Sequence, residues 1–203
     1  MTKKLLITLS ILTLFANATK ASDNNSATHD EGVVINGIRW ATRNVDMPGT
    51  FAETPESFGM LFQWNRKKAW NAVDEEVEGW DSSIPEGTKW YAENDPCPEG
   101  WRVPTYEELK SFDNASSTGS EWIFGDFFGT APNQIFLPAV RWRNENNGRL
   151  NYRSDIRITS GGGLWSSTQH GNSFAHALWF ASGGSMSIVG QRAKGLSIRC
   201  VAK

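Results

Sequence analysis

The residues best suited to chemistry are aromatic rings flanked by amides, imidazoles and guanidinium groups. Trp179 lies in the run Ala175–Phe180, with Gln169, His170, Asn172 and Ser173 in the turn before it and His176 within it. Sugars present flat C–H faces beside hydroxyls, so a saccharide site wants an indole next to polar side chains. Alternation along a strand puts Ala175, Ala177 and Trp179 on one face and His176, Leu178 and Phe180 on the other. Trp179 beside small residues is expected to form a flat ligand platform, with Gln169, His170, Asn172 and His176 as polar contacts. Turn chemistry alone also accounts for Asn172. Arg141, Arg143, Arg149, Arg153 and Arg157 form the one basic cluster. If they sit on a hairpin, Arg143, Arg149 and Arg153 make a cationic ribbon around Trp142 and Tyr152, suited to bidentate capture of carboxylate or sulfate. Ordinary surface charge paired with nearby acids is the plainer account.

Other chemistries find less support. There is no Gly-x-Ser-x-Gly and no Ser-x-x-Lys. Gly161-Gly162-Gly163 does not open a helix, so it is no phosphate loop. The acidic run from Asp74 to Glu78 could hold calcium or be a solvated loop. A glycosidase needs two facing carboxylates, and no pair is singled out. Two Cys and three scattered His lack zinc-ligand spacing. No catalytic residue, metal site or cofactor is expected.

The elements that must position these residues are strands and loops. Asn36-Gly37 joins Val33-Val34-Ile35 to Ile38-Arg39-Trp40, a strong hairpin signal. Residues 41–100 are broken by prolines and read as packed loop with short strands, the best at Gly59–Trp64. Thr105 and Glu108 fit a capping box that starts a helix over about Tyr106 to Phe112. Strands are expected at Ile135–Arg143 and Arg149–Arg153 as a hairpin, then at Leu164–Thr168, Ala175–Ala181, Ser185–Val189 and Leu196–Val201. In the last, Leu196, Ile198 and Cys200 share the more apolar face. Trp40, Trp64, Trp101 and Trp165 sit in strand-like motifs and are expected in the core. The class is α+β: antiparallel strands, one clear short helix and long irregular loops.

Composition agrees with one domain of 203 residues. Ten Trp and eleven Phe exclude a disordered chain. A formal charge of −2 argues against non-specific nucleic-acid binding. Lys3 and Lys4, the apolar run Leu5–Phe15 and Ala16-Asn17-Ala18 read as a signal peptide over residues 1–18, with Thr19-Lys20-Ala21 as a second cleavage choice and a buried N-terminal helix as the other account. Residues 19–31 read as a flexible spacer and 32–203 as the domain. No run is long enough to span a membrane, so the chain is expected to be exported: periplasmic, cell-surface or extracellular. In that setting Cys97 and Cys200 read as a disulfide, with two buried free thiols as the alternative.

Three ordered stretches carry a resemblance: Val34–Val45 (VINGIRWATRNV), Asp95–Thr105 (DPCPEGWRVPT), and Leu164–Thr168 (LWSST) followed by Gly195–Val201 (GLSIRCV). Together they resemble the Fibrobacter succinogenes major paralogous domain family. They are also similar to the C-terminal domain of collagen-like bacterial adhesins and, more remotely, to the formylglycine-generating-enzyme superfamily. The resemblance implies a C-type-lectin-like fold with paired terminal strands, a long looped excursion and a ligand surface of late strands and loops. The Glu-Pro-Asn, Gln-Pro-Asp and Trp-Asn-Asp signatures of calcium-dependent lectins are missing, and the three histidines do not match a three-histidine iron site. The expected function is a non-enzymatic exported module recognising glycan (polysaccharide) or a host or bacterial surface protein. A structural subunit of a surface layer or fimbria, and a secreted glycoside hydrolase, are the rivals.

Overall fold

The fold is taken from a computed structural model that describes residues 24–112, 117–119, 125–151, 161–181 and 184–203. The expected signal peptide, Arg153, Arg157 and Tyr152 lie outside the described residues.

Asn36 and Gly37 both take positive φ (51° and 82°), the pair of left-handed residues that a tight hairpin turn needs. They join β1 (Val33–Ile35) to β2 (Ile38–Trp40), with Val33 opposite Trp40. The C-terminal strand β13 (Val201–Ala202) pairs antiparallel with β2 through Val201 and Trp40. On its other side it pairs with β5 (Trp101–Arg102). The resulting order β1-β2-β13-β5 ties both ends of the domain to its middle. Cys97 and Cys200 are joined at this place across a sequence separation of 103, with Cys200 wholly buried.

The long excursion between β2 and β5 is loop with little ladder, as expected. β3 (Leu61–Gln63) and β4 (Ala69–Trp70) pair with each other, and β3 also with β12 (Gly195–Leu196). The capping box at Thr105 is formed on both sides: the Thr105 hydroxyl accepts from Glu108 N, and the Glu108 carboxylate accepts from Thr105 N. It starts α2 (Tyr106–Leu109), which tightens into a 3₁₀ turn over Lys110–Phe112 and buries Leu109 and Phe112. Arg102 grips the same carboxylate with two bonds, of 2.8 and 2.6 Å.

The late strands β9 (Gly161–His170), β10 (Phe174–Ala181) and β11 (Gly184–Gln191) form an antiparallel sheet ordered β11-β10-β9. Its two faces feed separate apolar clusters. Trp165, Ala175 and Ala177 point into one, with Trp64, Val103, Ile198 and Cys200. Leu164, Leu178 and Phe180 point into the other, with Trp40, Phe112 and Phe128. Leu61, Trp70, Ala72, Val140 and Leu150 make a third. Trp40, Trp64, Trp101 and Trp165 are all buried, as expected.

Four expectations are corrected. The hairpin drawn over 135–143 and 149–153 is replaced by β8 (Asn133–Pro138) pairing with β7 (Gly125–Thr130), which in turn pairs with β6 (Ser117–Gly119). Among the described residues the two predicted arms meet at one antiparallel bridge, Arg143 to Leu150, flanked by the Asn151 N–H to Trp142 O and Asn144 N–H to Arg149 O bonds. The second half of the stretch read as spacer is folded: α1 (Asn24–Thr28) precedes Asp30, whose carboxylate accepts bonds from the backbone N–H groups of Gly32 and Thr42 and from the side chains of Thr42 and Arg43. Arg143 is not on a surface ribbon but fully buried. And the flat platform of Trp179 with Ala175 and Ala177 is not formed: both alanines are buried in the core, while Trp179 stays half-buried.

Arg143 shares its fate with Arg192 and Arg199; their exposures are 0%, 2% and 0%. Among the described residues none is ion-paired to a carboxylate. Arg199 donates to Ala41 O, Phe136 O and Asn44 Oδ1. Arg192 donates to the carbonyls of Pro85, Gly87, Gly171 and Phe174 and to Gln169 Oε1. Arg143 donates to the carbonyls of Asn71, Asp74 and Gly148 and to Asn71 Oδ1. Burial pushes all three guanidinium groups below their ordinary pKa, Arg199 to about 9.

Two predictions follow from this architecture. Replacing both Cys97 and Cys200 by Ser opens a loop of 103 residues. It should lower stability by about 2–5 kcal/mol, read as a fall in the urea midpoint. Glu108 is pulled two ways: burial raises its pKa, but the Arg102 and Thr105 hydrogen bonds outweigh it and hold the carboxyl below its ordinary 4.5. Its contribution is therefore present above pH 4.5 and lost as pH falls through the lower folded value. Glu108→Gln should cost about 1–2 kcal/mol at pH 7, and urea titrations at successively lower pH should show that gap close.

Candidate functional site

The expected ligand residues do not act as one group. Gln169 is committed to Arg192 through its Oε1 at 3.1 Å. Arg149 is tied to Glu75 at 2.7 Å and Glu76 at 3.4 Å, and so is paired surface charge. Arg143 is sequestered beneath the acidic run, gripping the carbonyls of Asn71 and Asp74. Asn172 is exposed in the β9–β10 turn, and no side-chain bond ties it down among the contacts described. His170 and His176 lie together at the end of that hairpin, their nearest ring nitrogens 3.3 Å apart. Trp179 is half-buried, its indole edge-on to Trp142 with ring centroids 5.1 Å apart.

What the structure adds is a track leading away from Trp179. Trp142 lies under the Lys194 ammonium, 5.8 Å from its ring centroid. Lys194 also reaches Glu145 at 3.9 Å. Trp80 donates its indole N–H to Glu145 O at 3.0 Å and packs on Trp70, centroids 4.8 Å apart. The Lys68 ammonium sits 3.9 Å above the Trp70 ring. Two indole pairs, each with one ammonium group, thus run from β10 to β4: Trp179 and Trp142 with Lys194, then Trp80 and Trp70 with Lys68. Trp80, Trp142 and Trp179 are half-buried, whereas Trp70 is 4% exposed and serves as floor.

Local chemistry explains why the track holds its shape. Trp80 lies over two glycines. A Cβ on Gly148 would stand 2.6 Å from the Trp80 ring, and Gly148 has φ of +69°. A Cβ on Gly195 would stand 3.2 Å from the same ring. The slot exists because neither position carries a side chain. At the Trp179 end a Cβ on Gly161 would stand 3.0 Å from the indole.

The far end opens into a cleft of about 360 Å³ whose lining includes Gln63, Asn65, Arg66, Lys67, Lys68 and Trp70. Asp81 lies there as well, ion-paired to Arg66 at 2.9 Å. The Ser83 hydrogen bonds, with Arg66 and Lys68 nearby, hold the Asp81 carboxyl below its ordinary value. It is a stable anion and a poor proton donor. Lys67 and Lys68 are exposed at the mouth. Sequence reading missed this cleft because Trp70, Trp80 and the 66–68 basic triplet lie far from residues 164–192 in the chain. The signal available was the Arg66-Lys67-Lys68 run between two tryptophans.

No family model, curated protein or solved structure matches this chain. No helix among the described residues is long and apolar enough to cross a membrane.

Gly148→Ala tests the glycine slot. The clash with Trp80 and the left-handed backbone together should cost about 1–3 kcal/mol, seen as a lowered thermal midpoint. Trp80→Ala in the same background should recover part of the loss, since it removes the ring that the new methyl meets.

Proposed function

We propose that the protein is an exported, non-enzymatic binding module that takes an extended saccharide along the Trp179–Lys68 track. The observation that carries this reading is a row of two indole pairs, each followed by an ammonium group, with Trp80, Trp142 and Trp179 half-buried, ending in a cleft of amides and cations. Indole faces suit the C–H faces of pyranose rings, and each ammonium between them suits a hydroxyl, carboxylate or sulfate. Lys67 and Lys68 at the cleft mouth favour a chain bearing acidic groups.

A C-type-lectin-like architecture is part of the same proposal. It is supported by the pairing of β2 with β13, the long looped excursion from Trp40 to Trp101, and late strands that carry the aromatic end of the track. Likeness to the Fibrobacter succinogenes major paralogous domain family fits these features. Export is supported by the Cys97–Cys200 disulfide, since such bonds persist in oxidising compartments. Binding is favoured over glycosyl hydrolysis because Asp81 is the one carboxylate among the described cleft residues, and its charge is already used by Arg66. Hydrolysis needs a second, protonated one.

Trp142→Ala and Trp179→Ala should each weaken retention on an immobilised acidic polysaccharide by about tenfold, or 1.4 kcal/mol. Lys67→Ala with Lys68→Ala should weaken it for the acidic polymer and not for a neutral one. Equal retention of the tryptophan variants and the wild type would end this reading. Failure to bind any glycan, combined with filaments in native preparations, would favour the structural-subunit rival.

A further inference from the structure

The end of the β9–β10 hairpin carries an arrangement that the saccharide track does not use. His170 and Phe174 stand opposite each other across the turn, and His176 lies two residues further along β10. The two imidazoles are therefore diagonal neighbours on one face. A register shift between Ala175 and Ala177 bends the ladder here, and Ser166 Oγ donates to His176 O at 2.7 Å. Bulges of this kind re-aim side chains. His170 Nδ1 and His176 Nε2 come to 3.3 Å, with the rings perpendicular at 86°.

That separation has a meaning in coordination chemistry. With metal–nitrogen bonds of about 2.0–2.1 Å and tetrahedral angles, two ligating nitrogens lie about 3.3–3.4 Å apart. The pair already stands at the spacing that one ion would impose. His176 is held in place by stacking on Tyr106, centroids 4.1 Å apart and planes 18° from parallel. His170 is exposed, so an ion and its waters can approach from solvent. Burial first, and then the neighbouring His170 charge, lower the His176 pKa, while Glu107 and Lys110 act on it in opposite senses. No set of three or more His, Cys, Asp or Glu among the described residues forms a closed cage. Two protein nitrogens and solvent would make an open site. Imidazole donors select zinc, copper and nickel over the oxygen-seeking calcium and magnesium.

We propose that His170 and His176 form a two-histidine clip for a divalent first-row transition ion, Zn²⁺ among them, at the outer end of the β9–β10 hairpin. The ion would brace the hairpin end, and through the Tyr106 stack it would tie that end to α2. Open coordination positions would face solvent.

The test is calorimetric titration of the untagged protein with Zn²⁺ alone, and with Ca²⁺ as the control. The expected result is one site per chain for Zn²⁺ and none for Ca²⁺. His170→Ala and His176→Gln should each weaken Zn²⁺ binding about tenfold or more, while His29→Ala leaves it unchanged. Zn²⁺ should also raise the thermal midpoint of the wild type and of His29→Ala but not of His170→Ala. His170 is exposed, so its loss does not threaten folding. Equal Zn²⁺ affinity in the wild type and His170→Ala would overturn the proposal, as would an absence of binding by the folded wild type at millimolar Zn²⁺.

Discussion

Guanidinium groups buried among backbone carbonyls are the constraint on which the rest of this structure depends. A chain that runs from Trp40 to Trp101 with little ladder pairing leaves many carbonyls without strand or helix partners. A buried carbonyl without a donor costs free energy comparable to a lost hydrogen bond. Arg143 and Arg192 answer that demand with several donors aimed at loop carbonyls, and Arg199 joins the Ala41 carbonyl to that of Phe136 in β8. Their planar forks hold several strands of loop in one fixed relation, which a single ammonium could not do. Arg192 adds a packing role, its guanidinium carbon 4.2 Å from the Trp64 ring centroid. Arg143 ties the Asn71–Asp74 stretch and Arg192 the Pro85–Gly87 stretch, one on each side of Trp80.

The disulfide and the terminal sheet act at a different level. The β1-β2-β13-β5 order brings the beginning, middle and end of the domain side by side, and the cystine fixes that closure covalently. The late sheet then packs between two apolar clusters, while its edge strand β11 leaves Met186 and Val189 exposed. The ligand candidates lie at the Trp179 end that meets Trp142 and at the hairpin tip with His170. The two candidate sites are therefore at opposite ends of one strand, β10, and neither needs the other to form.

Much of the scaffold was legible in the residues. Asn36-Gly37 gave its hairpin because both residues tolerate positive φ. Thr105 and Glu108 gave the helix start because the capping box is a local motif. The late strands were marked by turns at glycine and asparagine. The site was less legible. Arginine is read as a surface residue because burying a charge is costly, so Arg143 was placed on a ribbon; its partners Asn71, Asp74 and Gly148 are scattered in sequence and neutral. The β7–β8 hairpin was missed because Gly125 and Gly129 interrupt β7 and lower its strand signal. The folded part of the spacer was missed because its anchor, Asp30, binds residues a dozen positions onward. Trp179 was singled out as a ligand contact, but the run through Trp142, Trp80 and Trp70 exists only in three dimensions.

The buried guanidinium clamps have a further consequence for where such a protein can work. Every acceptor described for Arg143, Arg192 and Arg199 is a peptide carbonyl or a side-chain amide, and none is a carboxylate. Neither amides nor peptide oxygens take up a proton in mildly sour surroundings, whereas carboxylate clamps would neutralise there and let go. These three clamps therefore hold through mild acidification, in contrast to the Arg102–Glu108 pair, whose contribution is lost as pH falls.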